Sequence, residues 1–226
     1  MMINRRETLR YLGIQGQQAD DKTLQLVEEV ERELSQSIQQ KSIYREYPCS
    51  VSGHTVHLGG LLIVSADLAK NLKGCSYAVL LAATVGRAAD FMIRKYSVTN
   101  LAKAAVVQAA GASCIEAYVD QIERDIQKDA GKRGLYLRPR FSPGYGDFAL
   151  ECQKGIFAVL ECSKRIGLTL TEGNLMMPSK SVTAVIGLTK DAKRSCYQHS
   201  CAQCEMEECG FRETVTAAPT DGAPTC

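Results

Sequence analysis

The sequence has little net charge, no long apolar run and none of the common nucleotide-binding signatures. Its 27 Lys+Arg stand against 25 Asp+Glu, a formal charge of +2 over 226 residues. No one-signed field draws in nucleic acid, and a basic nucleic-acid groove is disfavoured. The longest apolar stretch, Tyr77 to Gly86, is about half of what a membrane span needs, so no membrane partner is expected. The opening MMINRRETLR leads into no hydrophobic signal segment. Nothing marks the chain for export, and a reducing, cytoplasmic compartment is expected. No G-x-G-x-x-G follows a strand and no P-loop occurs, which speaks against a Rossmann dinucleotide site and a Gly-rich methyltransferase. The C-x3-C-x2-C spacing of radical enzymes that use S-adenosylmethionine is missing, as is a G-x-S-x-G nucleophile elbow.

What is present suits one globular domain with appendages. Apolar residues make up 45% and charged residues 23%. At this length about 70–75% of the unfolded surface can be buried, so a core needs no disulfide staples. The ten cysteines are too sparse for a disulfide scaffold. Cys49, Cys75, Cys114, Cys152 and Cys162 are scattered through apolar surroundings and read as small hydrophobes. The other five fall after residue 195.

Along the chain, Asp20-Asp21 open an amphipathic helix in which Leu24, Val27, Val30, Leu34 and Ile38 recur at three and four. From Ile43 to Val64 the pattern shortens to strands (IYREY, TVHL, LLIV) with Pro48, Gly53 and Gly59-Gly60 as punctuation. Ser65 caps a short helix to about Leu72, and Cys75 to Val85 is a buried strand. Arg87 to Lys95 is a helix. Thr99 or Asn100 caps a long second one, whose small-residue middle, AAVVQAAGASC, marks a central helix. Gly131 and Gly134 end it. A short strand, the irregular run RPRFSPGYGDF, one helix from about Ala149 to Arg165, and strand-like LTLT, LMM and SVTAVIGL follow. Without regular βαβ alternation the class is α+β. The expected domain covers 1–190, with a Cys-rich segment over 191–213 and a disordered tail over 214–226.

Three places carry candidate chemistry. The loop Arg138 to Asp147 is stiffened by Pro139 and Pro143, and Gly144 and Gly146 let backbone approach a ligand. It presents Arg140, Tyr145 and Asp147. An Arg binds a carboxylate bidentately and a Tyr face attracts a cation; the plain alternative is a structural turn. The run C-x4-C-x2-C-x4-C, from Cys196 through Cys201 and Cys204 to Cys209, can close around one zinc ion or an iron–sulfur cluster, with His199 as a substitute ligand. Its inner C-x-x-C also has redox spacing. Third, His57-Leu58-Gly59-Gly60 is like the tail of a corrinoid-binding D-x-H-x-x-G motif. Thr55 stands where the Asp belongs, so His54 and His57 read as strand and turn histidines.

The run RPRFSPGYGDF, the helix after it and LTLTEGNLMMPSKSVTAVIGL together resemble one family, the activation (S-adenosylmethionine-binding) domain of cobalamin-dependent methionine synthase. Its R-x-x-x-G-Y motif matches at Arg140, Gly144 and Tyr145. A family run of T-E, then M-x-P, then S-V matches at Thr171-Glu172, Met177-Pro178 and Ser181-Val182. The match is good over residues 132–188, and the element order follows the family from about Ile43. The resemblance implies a central, mostly antiparallel sheet flanked by helices. It implies that Arg140 holds the methionine carboxylate of S-adenosylmethionine, that Tyr145 lines the ligand, and that Asp147 and Ile186 fall where the family makes backbone contacts. The family's acidic contact to the ligand's amino group sits in a D-W-x-P-F segment with no counterpart in this chain, which has no Trp.

The implied role is reactivation: methyl transfer from S-adenosylmethionine coupled to one-electron reduction of an oxidised corrinoid. The chain has no corrinoid motif of its own, so cobalamin is expected on a partner methionine synthase chain, with flavodoxin or ferredoxin as electron donor. An iron–sulfur centre at the cysteines would serve as relay, and a zinc there would pin the segment. The competing readings are a metal-bearing electron-transfer protein and a scaffold subunit that has lost the ligand.

Overall fold

The computed structural model describes residues 3–14 and 19–191. The cysteine run with His199, and the tail over 214–226, lie outside the described residues.

Two short-range rules account for most of the elements. Polar side chains cap the helix starts: Asp20 accepts from Thr23 N at 2.7 Å, Ser65 from Leu68 N at 3.0 Å and Asn100 from Lys103 N at 3.0 Å. These open α2 (Asp21–Ser35), α3 (Ala66–Asn71) and the long α5 (Leu101–Gly131). The same device, through Asn4, opens α1 (Arg5–Tyr11). Alternating or continuous apolar runs give the strands β1 (Lys41–Ser52), β2 (Thr55–Leu58), β3 (Leu61–Val64), β4 (Tyr77–Thr84), β5 (Tyr136–Leu137) and β8 (Ser181–Thr189). Helix α4 (Ala88–Thr99) links β4 to α5.

The six strands form one antiparallel sheet in the order β3-β2-β1-β4-β8-β5. Strand β1 changes neighbour at Pro48: residues 41–48 pair with β4 and residues 49–52 with β2. Central β4 and β8 are buried along almost their whole length, which is why they read as unbroken apolar runs. On one face Leu80, Ala82 and Val185 pack with Phe148, Ile156 and Leu160. On the other, Val79, Leu81 and Ile186 pack with Ile115, Val119 and Ile122 of α5. The far side of α5 meets α1, α2 and α4 through Ala104, Val107 and Ala110. Helix α5 is therefore a middle layer, and its small side chains let helices close on it from outside while the sheet lies beneath.

The single helix expected over 149–165 is instead a 3₁₀ turn (Leu150–Cys152) followed by α6 (Gln153–Leu160) and α7 (Cys162–Ile166). Glu161 stands between them in the left-handed region, φ 54°. The bend lets Leu160, Cys162 and Ile166 all reach the core, so the apolar spacing runs on through a break that it hides. Strands β6 (Thr169–Leu170) and β7 (Met176–Met177) pair separately.

Candidate functional site

The loop after β5 continues along β8 before it turns. Arg138 N donates to Gly187 O at 2.8 Å, and Phe141 exchanges two 2.9 Å bonds with Val185. Successive side chains on an extended segment face opposite ways. Phe141 therefore points to the α6 side, stacked on Phe148 with centroids 6.1 Å apart, and Arg140 points to α5. The turn then closes on itself: Gly144 N donates to Phe148 O at 2.7 Å and Phe148 N to Tyr145 O at 3.0 Å. Gly144 and Gly146 have φ of 95° and 54°, where a side chain is strained.

On α5, Glu116, Asp120 and Glu123 are spaced i, i+4, i+7 and share a face. All three converge on Arg140. Its Nη1 donates to Asp120 Oδ1 and Glu123 Oε2, each at 2.7 Å, and Nη2 to Glu116 Oε2 at 2.5 Å. Its Nε makes no hydrogen bond among the described residues. Burial alone would lower the guanidinium's proton affinity, but the Glu123 charge, the Asp120 hydrogen bond and the Glu116 charge outweigh it and hold the pKa above its ordinary value. Glu123 is 1% exposed. Burial pushes its carboxyl up to about 7, against the pull of Arg140. Its Oε1 has no hydrogen-bond partner among the described residues. Around Arg140 the ionised carboxylates outnumber the single cation, so the site has a net acidic character.

Asp147 serves a different element. Its carboxylate accepts from Ser65 Oγ, from Ala66 N at 2.7 Å and from Asp67 N at 3.1 Å, and its own N–H donates to Asp67 Oδ2 at 3.2 Å. These bonds, led by that from Ser65, depress its pKa. The other end of α3 is tied too: Arg138 Nε donates to Asn71 O at 2.8 Å and Asn71 Nδ2 to Pro139 O at 3.2 Å. The loop is thus clamped along α3.

Of the residues singled out from the sequence, Arg140, Gly144, Tyr145 and Asp147 share this one loop. Tyr145 is 67% exposed. Ile186 adjoins Val185, yet its side chain is in the α5-side core. Because Val185 turns its N–H and C=O to Phe141, those of Ile186 point towards β4, opposite Val79. The carboxylates around Arg140 were not foreseen. Their one signal is an acidic i, i+4, i+7 row that begins where the small, apolar middle of α5 ends. Among the described cysteines, Cys49, Cys114 and Cys162 are buried, and burial pushes their thiols up to about 11. They behave as core hydrophobes. His54 and His57 are exposed. Among the described residues no group of three His, Cys, Asp or Glu could hold a metal, and no helix is long and apolar enough to cross a membrane.

A second concavity lies at the start of α4. Two cavities of about 510 and 840 Å³ share Arg87, Phe91, Gly167 and Pro178 and make one cleft.

No protein-family model and no curated protein matches the sequence. Among solved structures, the reactivation domain of MetH bound to AdoHcy superposes with a TM-score of 0.59 at 14% identity, over 76% of this chain and 66% of that one. At that identity the likeness establishes the fold: an α+β domain on an antiparallel sheet. The chain spans just under two thirds of that neighbour's length.

Proposed function

We propose that the chain binds S-adenosylmethionine at the Arg140–Tyr145 loop and supports reductive remethylation of the corrinoid on a partner methionine synthase chain. The observation that carries this reading is the shared fold with a domain bound to AdoHcy, joined to an R-x-x-x-G-Y loop in this chain whose Arg is seated among carboxylates. S-adenosylmethionine carries an ammonium, a sulfonium and a carboxylate, and so is a net cation. A cluster that is acidic overall but built around one Arg suits that charge pattern. The cluster also keeps one unused donor, Arg140 Nε, and one orphaned buried acceptor, Glu123 Oε1. In this reading Arg140 takes the ligand carboxylate, and Glu116 and Asp120, which reach solvent, take the ammonium in place of the family's N-terminal acid. Tyr145 sets its ring face to the sulfonium, while Gly144 and Asp147 give the loop its shape beside β8. Bound, the ligand supplies an activated methyl group; the chain's part is to hold it in position and limit water. Flavodoxin or ferredoxin is the proposed electron donor. A zinc ion or iron–sulfur cluster at Cys196, Cys201, Cys204 and Cys209 is proposed alongside, tested by iron, zinc and sulfide analysis after anaerobic purification.

Titration calorimetry tests the ligand. Binding of both S-adenosylmethionine and S-adenosylhomocysteine is expected, with the first tighter because only it carries the sulfonium charge. Tyr145→Ala should weaken S-adenosylmethionine about tenfold, in line with a desolvated cation–π contact of up to ~2 kcal/mol. The melting temperature should not change, because Tyr145 is exposed. If the unaltered protein gives no binding of either ligand, the reading falls.

A further inference from the structure

We propose that Glu123 couples ligand binding at the Arg140 loop to the uptake of a proton from solvent, so that the site holds S-adenosylmethionine more tightly as pH falls towards 6. The inference rests on the reading of this loop as the S-adenosylmethionine site and adds its regulation.

The geometry sets up a competition. One guanidinium serves three carboxylates: Nη1 is shared by Asp120 and Glu123, at 2.7 Å each, and Nη2 is taken by Glu116 at 2.5 Å. The three are not equally placed. The side chains of Glu116 and Asp120 are 38% and 45% exposed, so either can turn from Arg140 and be rehydrated. Glu123, two turns of α5 beyond Glu116, is 1% exposed. Its Oε2 rests on Arg140, and its Oε1 has no partner among the described residues. Negative charge on Glu123 is thus supported by one cation that two other carboxylates already claim.

The surroundings offer no second support. Asp120 and Glu116, on the same helix, act against a charge on Glu123. Helix α1 brings Tyr11, a neutral phenol whose pKa is raised by burial and by the Glu116 charge, and Arg10, which is paired with Glu7. The sheet face beneath α5 is apolar, through Val79, Leu81 and Ile186. The other arginine of the loop, Arg138, turns to Asn71 O of α3. Burial accordingly pushes the Glu123 carboxyl up to about 7 although Arg140 pulls it down. Near neutral pH the free protein holds this group about half protonated.

A ligand carboxylate tips the balance. Arg140 can receive it through the unused Nε and through Nη2, once Glu116 swings to the ligand's ammonium. The same guanidinium then carries a further anion, and less of its charge is left for Glu123. The ammonium lies on the exposed side, with Glu116 and Asp120, where water screens it from Glu123. Glu116 and Asp120 have somewhere to go; Glu123 does not. A buried carboxylate that loses its counter-ion becomes neutral, so one proton passes from solvent to Glu123. The complex then binds more protons than the free protein, and by linkage its affinity rises as pH falls.

Calorimetry on the full chain with S-adenosylmethionine tests this, run at pH 7.0 in phosphate and in imidazole buffers, whose ionisation enthalpies differ. The dependence of the heat on the buffer counts the protons. Uptake of about half a proton is expected, the fraction of Glu123 still ionised in the free protein at that pH. Between pH 6.0 and pH 7.5 the affinity should fall about fourfold, for a group that titrates near 7 when free and stays protonated when bound. The ligand's own α-ammonium, with a pKa of about 8, adds a small uptake of its own. Glu123→Gln should keep only that remainder, bind at both pH values, and change affinity between them by less than about twofold. Binding without uptake beyond the ligand's share, release of a proton, or an unchanged pH profile in Glu123→Gln overturns this inference and leaves the S-adenosylmethionine reading standing. No binding by the unaltered protein at either pH defeats both.

Discussion

Replacing Arg140 by Met will destabilise the fold by about 3–5 kcal/mol at pH 8, the range for removing one partner of a buried ion pair. For a chain of this length that lowers the melting temperature by roughly 6–20 °C. The loss comes mainly from Glu123. Glu116 and Asp120 are more than a third exposed and can be rehydrated, so their pairs with Arg140 add little. Glu123 cannot: it is buried, and its nearest cation would be gone. The pH dependence gives the sign. The folded-state pKa of Glu123 is raised from 4.5 to about 7, so the folded protein holds this proton more tightly than the unfolded chain does. Its contribution is fully present below about pH 4.5 and is lost as pH rises through about 7. Without Arg140 the pKa rises further, and the loss extends to higher pH. The Arg140→Met destabilisation should therefore be smaller at pH 5, where Glu123 is protonated, than at pH 8. Glu123→Gln should remove the slope between pH 5 and pH 7.5 and make the protein more stable than the unaltered one at pH 8. Urea unfolding at the two pH values measures all three proteins. Equal destabilisation by Arg140→Met at both would show that Glu123 is not the group responsible.

The cluster also shows where sequence reading stops. Helices α2, α3 and α5 were legible because each begins at a capping side chain and continues as a periodic apolar face. The strands around Gly53 and Gly59-Gly60 were legible because turn residues bound short apolar runs. Helix α1 was not, since RRETLRY buries only Thr8 and Leu9, too few to set a period. The break at Glu161 was hidden because the residues on both sides of it are core residues. The Arg140 loop could be recognised as an irregular segment with an Arg in it. What that Arg touches could not, because its partners lie 17–24 positions away on α5, and nothing local in either segment refers to the other.

Gly146→Ala should loosen the loop without altering either side chain proposed to hold the ligand, Arg140 or Tyr145. A Cβ there would collide with the Asp67 carboxylate, and the backbone is already in the left-handed region at φ 54°. Strain of this kind is worth about 1–3 kcal/mol. The easiest relief is to push Asp67 away, which breaks its bond from Asp147 N and draws the Asp147 carboxylate off the first turn of α3. Asp147→Asn should act in the same direction, since the amide keeps one acceptor oxygen in place of the two that Ser65, Ala66 and Asp67 now use. The carboxyl of Asp147 is held below 3.8, so the clamp is in place at neutral pH and releases only as pH falls through that lowered value. Hydrogen exchange is the direct measure: in both variants the amides of Ala66, Asp67 and Gly144 should lose protection while those of β4 and β8 keep it. If the clamp positions the loop, S-adenosylmethionine affinity should fall in both variants although Arg140 and Tyr145 are intact. A loop that loses protection yet binds as before would show that the clamp only stabilises α3, and that Gly146 and Asp147 belong to the fold rather than to the site.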